Sequence, residues 1–169
     1  GGASWTAVNS GITGSFVYSV TIDPTNSQTI YAGTYGSGIF KSANGGESWT
    51  AVNSGITPDQ WGIISVYSIA IDRNDNQTVY SGTNVGVFKT ANGGKLWTVF
   101  NSIIPMSDQD VNAIAIDPSS SQTIYAGTWG GVYKTLLSND VPAIIGETSV
   151  IFPESVPRSF KVSASGWPV

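Results

Sequence analysis

The chain has 169 residues with no Cys and no His, which excludes disulfide frameworks, thiolate or imidazole metal sites, and Ser/His/Asp or Cys/His catalysis. Only 7 basic residues stand against 11 acidic ones, a net charge of -4, so there is no cationic footprint for nucleic acid or an anionic membrane surface. Charged residues make up 11% of the chain, well below the roughly 25% of ordinary soluble domains, and the abundance of Gly, Ser, Thr and Asn points to a β-rich protein with many turns.

The first residues lack the basic and apolar regions of a signal peptide, and no apolar run approaches the ~18 residues needed to span a bilayer, so no membrane insertion is expected. The chain begins without Met, as a processed product or a trimmed piece does. Internal repetition then dominates. Residues 46–57 nearly reproduce residues 2–13, and residues 95–104 are a third, worn copy. Residues 17–34, 66–83 and 111–128 form a second set, and residues 38–46, 86–94 and 131–135 a third. Trp5, Trp49 and Trp97 are 44 and 48 apart, while Tyr31, Tyr80 and Tyr125 are 49 and 45 apart. A period in the mid-forties built of short strands points to an all-β fold of four-stranded antiparallel β-propeller blades.

Each unit divides into four strands. The first, exemplified by Val66–Ile71, has small and β-branched residues with no charge before Asp72, as expected of an innermost strand crowded on both faces. The second (Thr29–Gly33) and third (Ile39–Ser42) alternate apolar with polar or small residues. The fourth, Ser48–Val52, is the outer one. Asp-Pro turns join strands one and two, and Asn-Gly-Gly joins three and four with the positive φ of tight hairpins.

The segments Ser42-Ala43-Asn44-Gly45-Gly46-Glu47-Ser48-Trp49 and Thr90-Ala91-Asn92-Gly93-Gly94-Lys95-Leu96-Trp97 resemble the Asp-box, or BNR, repeat of sialidase-like propellers, and the resemblance covers about 80% of the chain. It implies a structural box formed by Ser42, Asn44, Gly46 and Trp49, and again by Thr90, Asn92, Gly94 and Trp97. Asn stands where the family usually has Asp, which keeps an acceptor for the turn's amides and loses a charge. The repeat style is also similar to that of xyloglucanase-type hydrolases and photosystem assembly factor propellers. Sialidases clamp their substrate with an arginine triad, and the two arginines present, Arg73 and Arg158, do not supply one.

The propeller part, residues 1–137, opens with a fourth strand (Ser4–Val8), runs through two whole blades and ends on strands one to three of another. Three blades cannot close a ring, since propellers have about four to eight. The expected partners are therefore a second copy, with strand four of one chain completing the third blade of the other, or the remaining blades of a larger propeller. Residues 138–169 change pattern. Ser159, Phe160, Lys161, Val162, Ser163, Ala164, Ser165, Gly166, Trp167 and Pro168 resemble the second strand of bacterial immunoglobulin-like domains, so this tail reads as the two opening strands of such a domain.

The loops from strand four to strand one and from strand two to strand three share the face on which propellers bind ligands. They carry Asp59, Trp61, Asp108 and Asp110 in the first kind, and Tyr35, Asn84 and Trp129 in the second. Flat aromatic rings beside amides and carboxylates suit the apolar faces and hydroxyls of a glycan, or a protein segment. Packing of the channel rim accounts for Tyr35 and Trp129 equally well. The three Asp residues are the only candidate acids for the paired-carboxyl chemistry of glycosidases. On the opposite face, Asn76-Gln77-Thr78 forms a glycosylation sequon. The expectation is a non-catalytic, extracellular or cell-surface propeller module that needs no cofactor, scaffolds assembly and binds glycan or protein on its loop face. The alternative is a piece of a secreted polysaccharide hydrolase of xyloglucanase type.

Overall fold

The computed structural model describes residues 4–13, 16–100, 104 and 109–136. The tail expected over 138–169, with its boundary after 137, and Asp108 lie outside the described residues. Wherever the Val-led repeat recurs, the chain extends, as β1 (Val17–Asp23), β5 (Val66–Ile71) and β9 (Val111–Asp117). An Asp at or just after the end of each strand makes the turn. The Oδ1 of Asp23 accepts the Thr25 and Asn26 amides at 2.8 and 3.2 Å, and that of Asp117 accepts the Ser119 amide at 2.8 Å. The return strands are β2 (Asn26–Thr34), β6 (Val79–Thr83) and β10 (Ser120–Thr128), followed by β3 (Gly38–Ser42), β7 (Gly86–Thr90) and β11 (Gly131–Leu136). Two-residue strands, β4 (Thr50–Ala51) and β8 (Thr98–Val99), finish the first two units.

The strands form three antiparallel sheets in the orders β1-β2-β3-β4, β5-β6-β7-β8 and β11-β10-β9. The all-β architecture of blade-like sheets is therefore as expected, and no helix occurs among the described residues. Two details differ. The outer strand is shorter than Ser48–Val52, with only Phe40↔Ala51 and Lys41↔Thr50 in register, because the amides of Ser48 and Trp49 turn instead to Asn44 Oδ1 and Ser10 O. Burial on both faces belongs to the second strand rather than the first. All of β6 is buried, whereas β5 is fully buried only at Val66 and Ile69.

Consecutive sheets stack through their inner strands. Thr21 Oγ1 donates to Ile69 O at 2.9 Å, and Ser68 Oγ accepts the Ile114 amide at 3.0 Å. Turn residues clasp the preceding sheet's aspartates, with Asn76 Nδ2 donating to Asp23 Oδ2 at 2.9 Å and Ser121 Oγ to Asp72 Oδ1 at 2.7 Å. Burial alone would raise the Asp23 carboxyl, but the donors from Thr25, Asn76 and Asn26 outweigh it and hold the group below the usual carboxylate range. Asn76 of the sequon thus gives its side-chain amide to this junction. The core between the first two sheets gathers Tyr31, Ile39, Ile56, Val66, Ile69, Val79, Phe88 and Trp97, each contributing about 1.5–3 kcal/mol where fully buried.

The opening residues Ser4–Val8 form no strand. Val8 O and Ser10 O accept Nε1 and the amide of Trp49, both at 2.8 Å. Val52 O and Ser54 O accept the same two groups of Trp97, also at 2.8 Å. The opening segment thus stands against the first sheet as the outer-strand segment of the first sheet stands against the second.

Candidate functional site

The connection from β4 to β5 is knotted around one carboxylate. Asp59 Oδ1 accepts the amides of Trp61 and Ile63 at 2.9 and 2.8 Å, while its own amide donates to Ile63 O at 3.0 Å. Asp59 Oδ2 accepts Asn84 Nδ2 at 2.8 Å. Asn84, in the β6–β7 turn, is engaged in turn by Ser65, whose amide reaches Asn84 Oδ1 at 2.9 Å and whose carbonyl accepts the Asn84 amide at 3.0 Å. Gly62 closes the loop with φ 78°, a conformation other residues rarely adopt. The consequence is that Trp61, 74% exposed, is held out from the surface by a rigid base.

Below it lies a cleft of about 670 Å³ whose walls include Tyr35, Asp59, Gln60, Trp61, Tyr67, Asn84, Gln109 and Asp110. Five of the residues expected on the loop face, Tyr35, Asp59, Trp61, Asn84 and Asp110, are thereby brought together. Trp129 is exposed in the β10–β11 turn but is not part of this cleft's wall. Two residues that were not expected join the site. Tyr18 meets the Tyr35 ring edge-on at 6.1 Å and the Tyr67 ring at 5.6 Å. Partial burial, followed by the charge of Asp110, pushes the Tyr67 phenol above its ordinary value, so at neutral pH it remains a hydrogen-bond donor. The recurrence of Val-Tyr-Ser at 17–19 and 66–68 was the available signal for both.

The cleft therefore offers a projecting indole, a tyrosine cluster and amide or carboxylate edges. Asp59 has both carboxylate oxygens occupied by three donors, which suits holding the loop rather than transferring a proton. Among the described residues no three carboxylates gather to hold a metal ion.

At the opposite end of the sheets, both three-to-four turns share one bonding pattern. Ser42 Oγ accepts the Gly46 amide at 2.9 Å and donates to Asn44 Oδ1 at 2.9 Å, which also accepts the Ser48 amide at 2.9 Å. Thr90 and Asn92 repeat the arrangement with Gly94 and Leu96. Gly45 and Gly46, and likewise Gly93 and Gly94, carry the positive φ that the hairpins require.

A scan of protein-family models and a search of curated proteins return no match. Solved structures do match. The chain is similar to an ancestral GH74 enzyme at 27% identity, over 74% of this chain and 18% of that one, with a TM-score of 0.55. It is similar to the GH74 enzyme of Niastella koreensis at 25% identity, over 69% and 19%, with a TM-score of 0.58. YCF48 bound to D1 peptide shares the fold at 13% identity, over 75% and 39%, with a TM-score of 0.56. The fold is that of a β-propeller. The chain spans about a fifth of the length of the two GH74 enzymes, and the three sheets are propeller blades.

Proposed function

We propose that this chain is a non-catalytic propeller module, working outside the cell or at its surface, whose loop-face cleft binds the apolar face of a glycan or an exposed protein segment. The observation that carries the reading is the Asp59 knot, which spends a carboxylate and an asparagine on displaying Trp61 beside the Tyr18, Tyr35 and Tyr67 rings. A preformed, rigid aromatic platform lowers the ordering cost of binding. The bonding of Ser42 with Asn44 and of Thr90 with Asn92 supports reading both turns as Asp-box repeats with Asn in place of Asp. Asp108 and Trp129 belong to the same face by repeat position, and residues 138–169 are read as the start of an immunoglobulin-like domain.

Trp61→Ala and Tyr35→Ala should each lower retention on a glycan array at least about tenfold, the scale of losing one aromatic anchor. Unchanged retention would sink the cleft as the binding site. The identity to GH74 enzymes favours one alternative, a piece of a polysaccharide hydrolase. Hydrolysis of β-glucan by the chain, abolished in Asp110→Asn, would establish that alternative instead.

A further inference from the structure

We propose that two copies of this chain close a six-bladed ring by exchanging residues 4–12, the Trp5 of each copy entering the apolar pocket between the second and third blades of the other.

The pocket is lined by Val87, Phe100, Ile104, Ile114, Ile124 and Tyr133, with Ala126 and Thr135. Shifted back by one repeat, the first six are Ile39, Val52, Ile56, Ile69, Val79 and Phe88, all of which belong to or pack against the cluster that buries Trp97 between the first and second blades. The pocket is thus a second Trp97 site. The third unit supplies no Trp for it, because Pro142 stands at that spacing. The void it leaves is about 20 Å³. The Trp of the repeat that lacks surroundings is Trp5, 99% exposed where Trp97 is 1%.

The rest of the junction is divided in the same way. Val17 and Val20 on the first blade are exposed, although their equivalents Val66 and Ile69 are buried under the preceding blade. On the third blade Val132 is 75% exposed where Ile39 and Val87 are 0% and 2%. A Cβ on Gly33 or Gly82 would lie 2.7 or 2.9 Å from Cγ1 of Val66 or Val111, the first residue of the next blade, whereas one on Gly127 would meet no residue of a following blade. Gly127 and Val17 are the two unpaired halves of that contact. Asp117 likewise corresponds to Asp23 and Asp72, which receive Asn76 and Ser121, and the matching donor is Ser27 of the first blade. Because Val8 and Ser10 already anchor the opening segment to Trp49 of its own first blade, Trp5–Val8 of one copy would complete the third blade of the other. Within the range of about four to eight blades, six is the only multiple of three.

The register follows from Lys41↔Thr50 and Lys89↔Thr98, which sets Lys134 of one copy opposite Thr6 of the other. Antiparallel partners about 4.5–5.5 Å apart at Cα can carry a disulfide, and the chain has no other Cys. Oxidised Thr6→Cys/Lys134→Cys protein should run as one closed dimer on a non-reducing gel. A monomer band or a ladder of higher species would overturn the proposal. Light scattering of the unmodified chain at micromolar concentration should give twice the 17.7 kDa chain mass, and a single-chain mass would overturn it equally. Trp5→Ala should raise the dimer dissociation constant at least about a hundredfold with the far-UV spectrum unchanged, since Trp5 is exposed within its own copy. An unaltered constant would remove Trp5 from the junction and defeat the proposal.

Discussion

The hydroxyls of Tyr31 and Tyr80 are buried without a hydrogen-bond partner among the described residues, and each ring lies under a lysine, with Lys41 Nζ 5.1 Å from the Tyr31 centroid and Lys89 Nζ 5.4 Å from that of Tyr80. Burial, reinforced by the charges of Asp23 and Asp72 respectively, pushes both phenols up to about 12 from 10.0. Below pH 10 folded and unfolded chains are both protonated and this contribution is intact. Between pH 10 and 12 the unfolded chain releases its protons first, so stability falls as pH rises through that window. Thermal melts should show this alkaline loss, and Tyr31→Phe/Tyr80→Phe should flatten it while staying within about 1 kcal/mol of the parent at pH 7, because the rings remain and only unpaired hydroxyls are removed. Asp59→Ala acts oppositely. It orphans the Trp61 and Ile63 amides and the Asn84 side chain, and should cost about 1–3 kcal/mol in denaturant unfolding together with a change in Trp61 quenching by acrylamide. The positions of Asp59 and Trp61 were legible because repeat register shows which loops share an end. That Asp59 holds the loop was not, since saturation of a carboxylate depends on where amides point. Tyr18 and Tyr67 were hidden by heading strands that read as core.

Strand identity within a blade was carried by the repeated Val, Tyr and Trp positions, and the eleven strands among the described residues lie close to them, while Ser4–Val8, expected as a twelfth, forms none. Strand length was less legible. β4 and β8 shrink to two residues because the Ser48 and Leu96 amides bond to Asn44 and Asn92, a competition between side chain and ladder that a β-propensity pattern does not display. Removing that competitor tests its worth. Ser42→Ala deletes the acceptor of the Gly46 amide and the donor to Asn44, and should lower unfolding free energy by about 1–2 kcal/mol in urea titration. Packing between blades sets a sharper limit. A Cβ on Gly82 would stand 2.5 Å from Val111 O, while on Gly127 the nearest atom is Ala113 Cβ at 3.3 Å. Gly82→Ala should therefore destabilise each chain by about 1–3 kcal/mol through overpacking. Gly127→Ala should leave the melting of dilute protein almost unchanged and weaken only the association, read by light scattering across a dilution series.

For the whole molecule, the blade count was legible from the period alone, whereas the division of one junction into two exposed halves emerged only when burial was compared between equivalent positions such as Val20, Ile69 and Ile114. Stacked units draw their stability from nearest-neighbour interfaces as well as from each unit itself. A single copy has two such interfaces for three blades, and a closed pair would have six for six. Closure thus adds one interface per chain, and any species that binds the folded state raises its apparent stability by mass action. The melting temperature should accordingly climb with protein concentration, steadily over several decades, as for a dimer whose dissociation accompanies unfolding. Trp5→Ala should flatten that slope and leave the dilute limit in place, because the residue contributes to the junction and not to its own blades. A melting temperature independent of concentration in the parent would mean that the blades stand without the added interfaces, and calorimetry over a thousandfold dilution is the measurement that decides it.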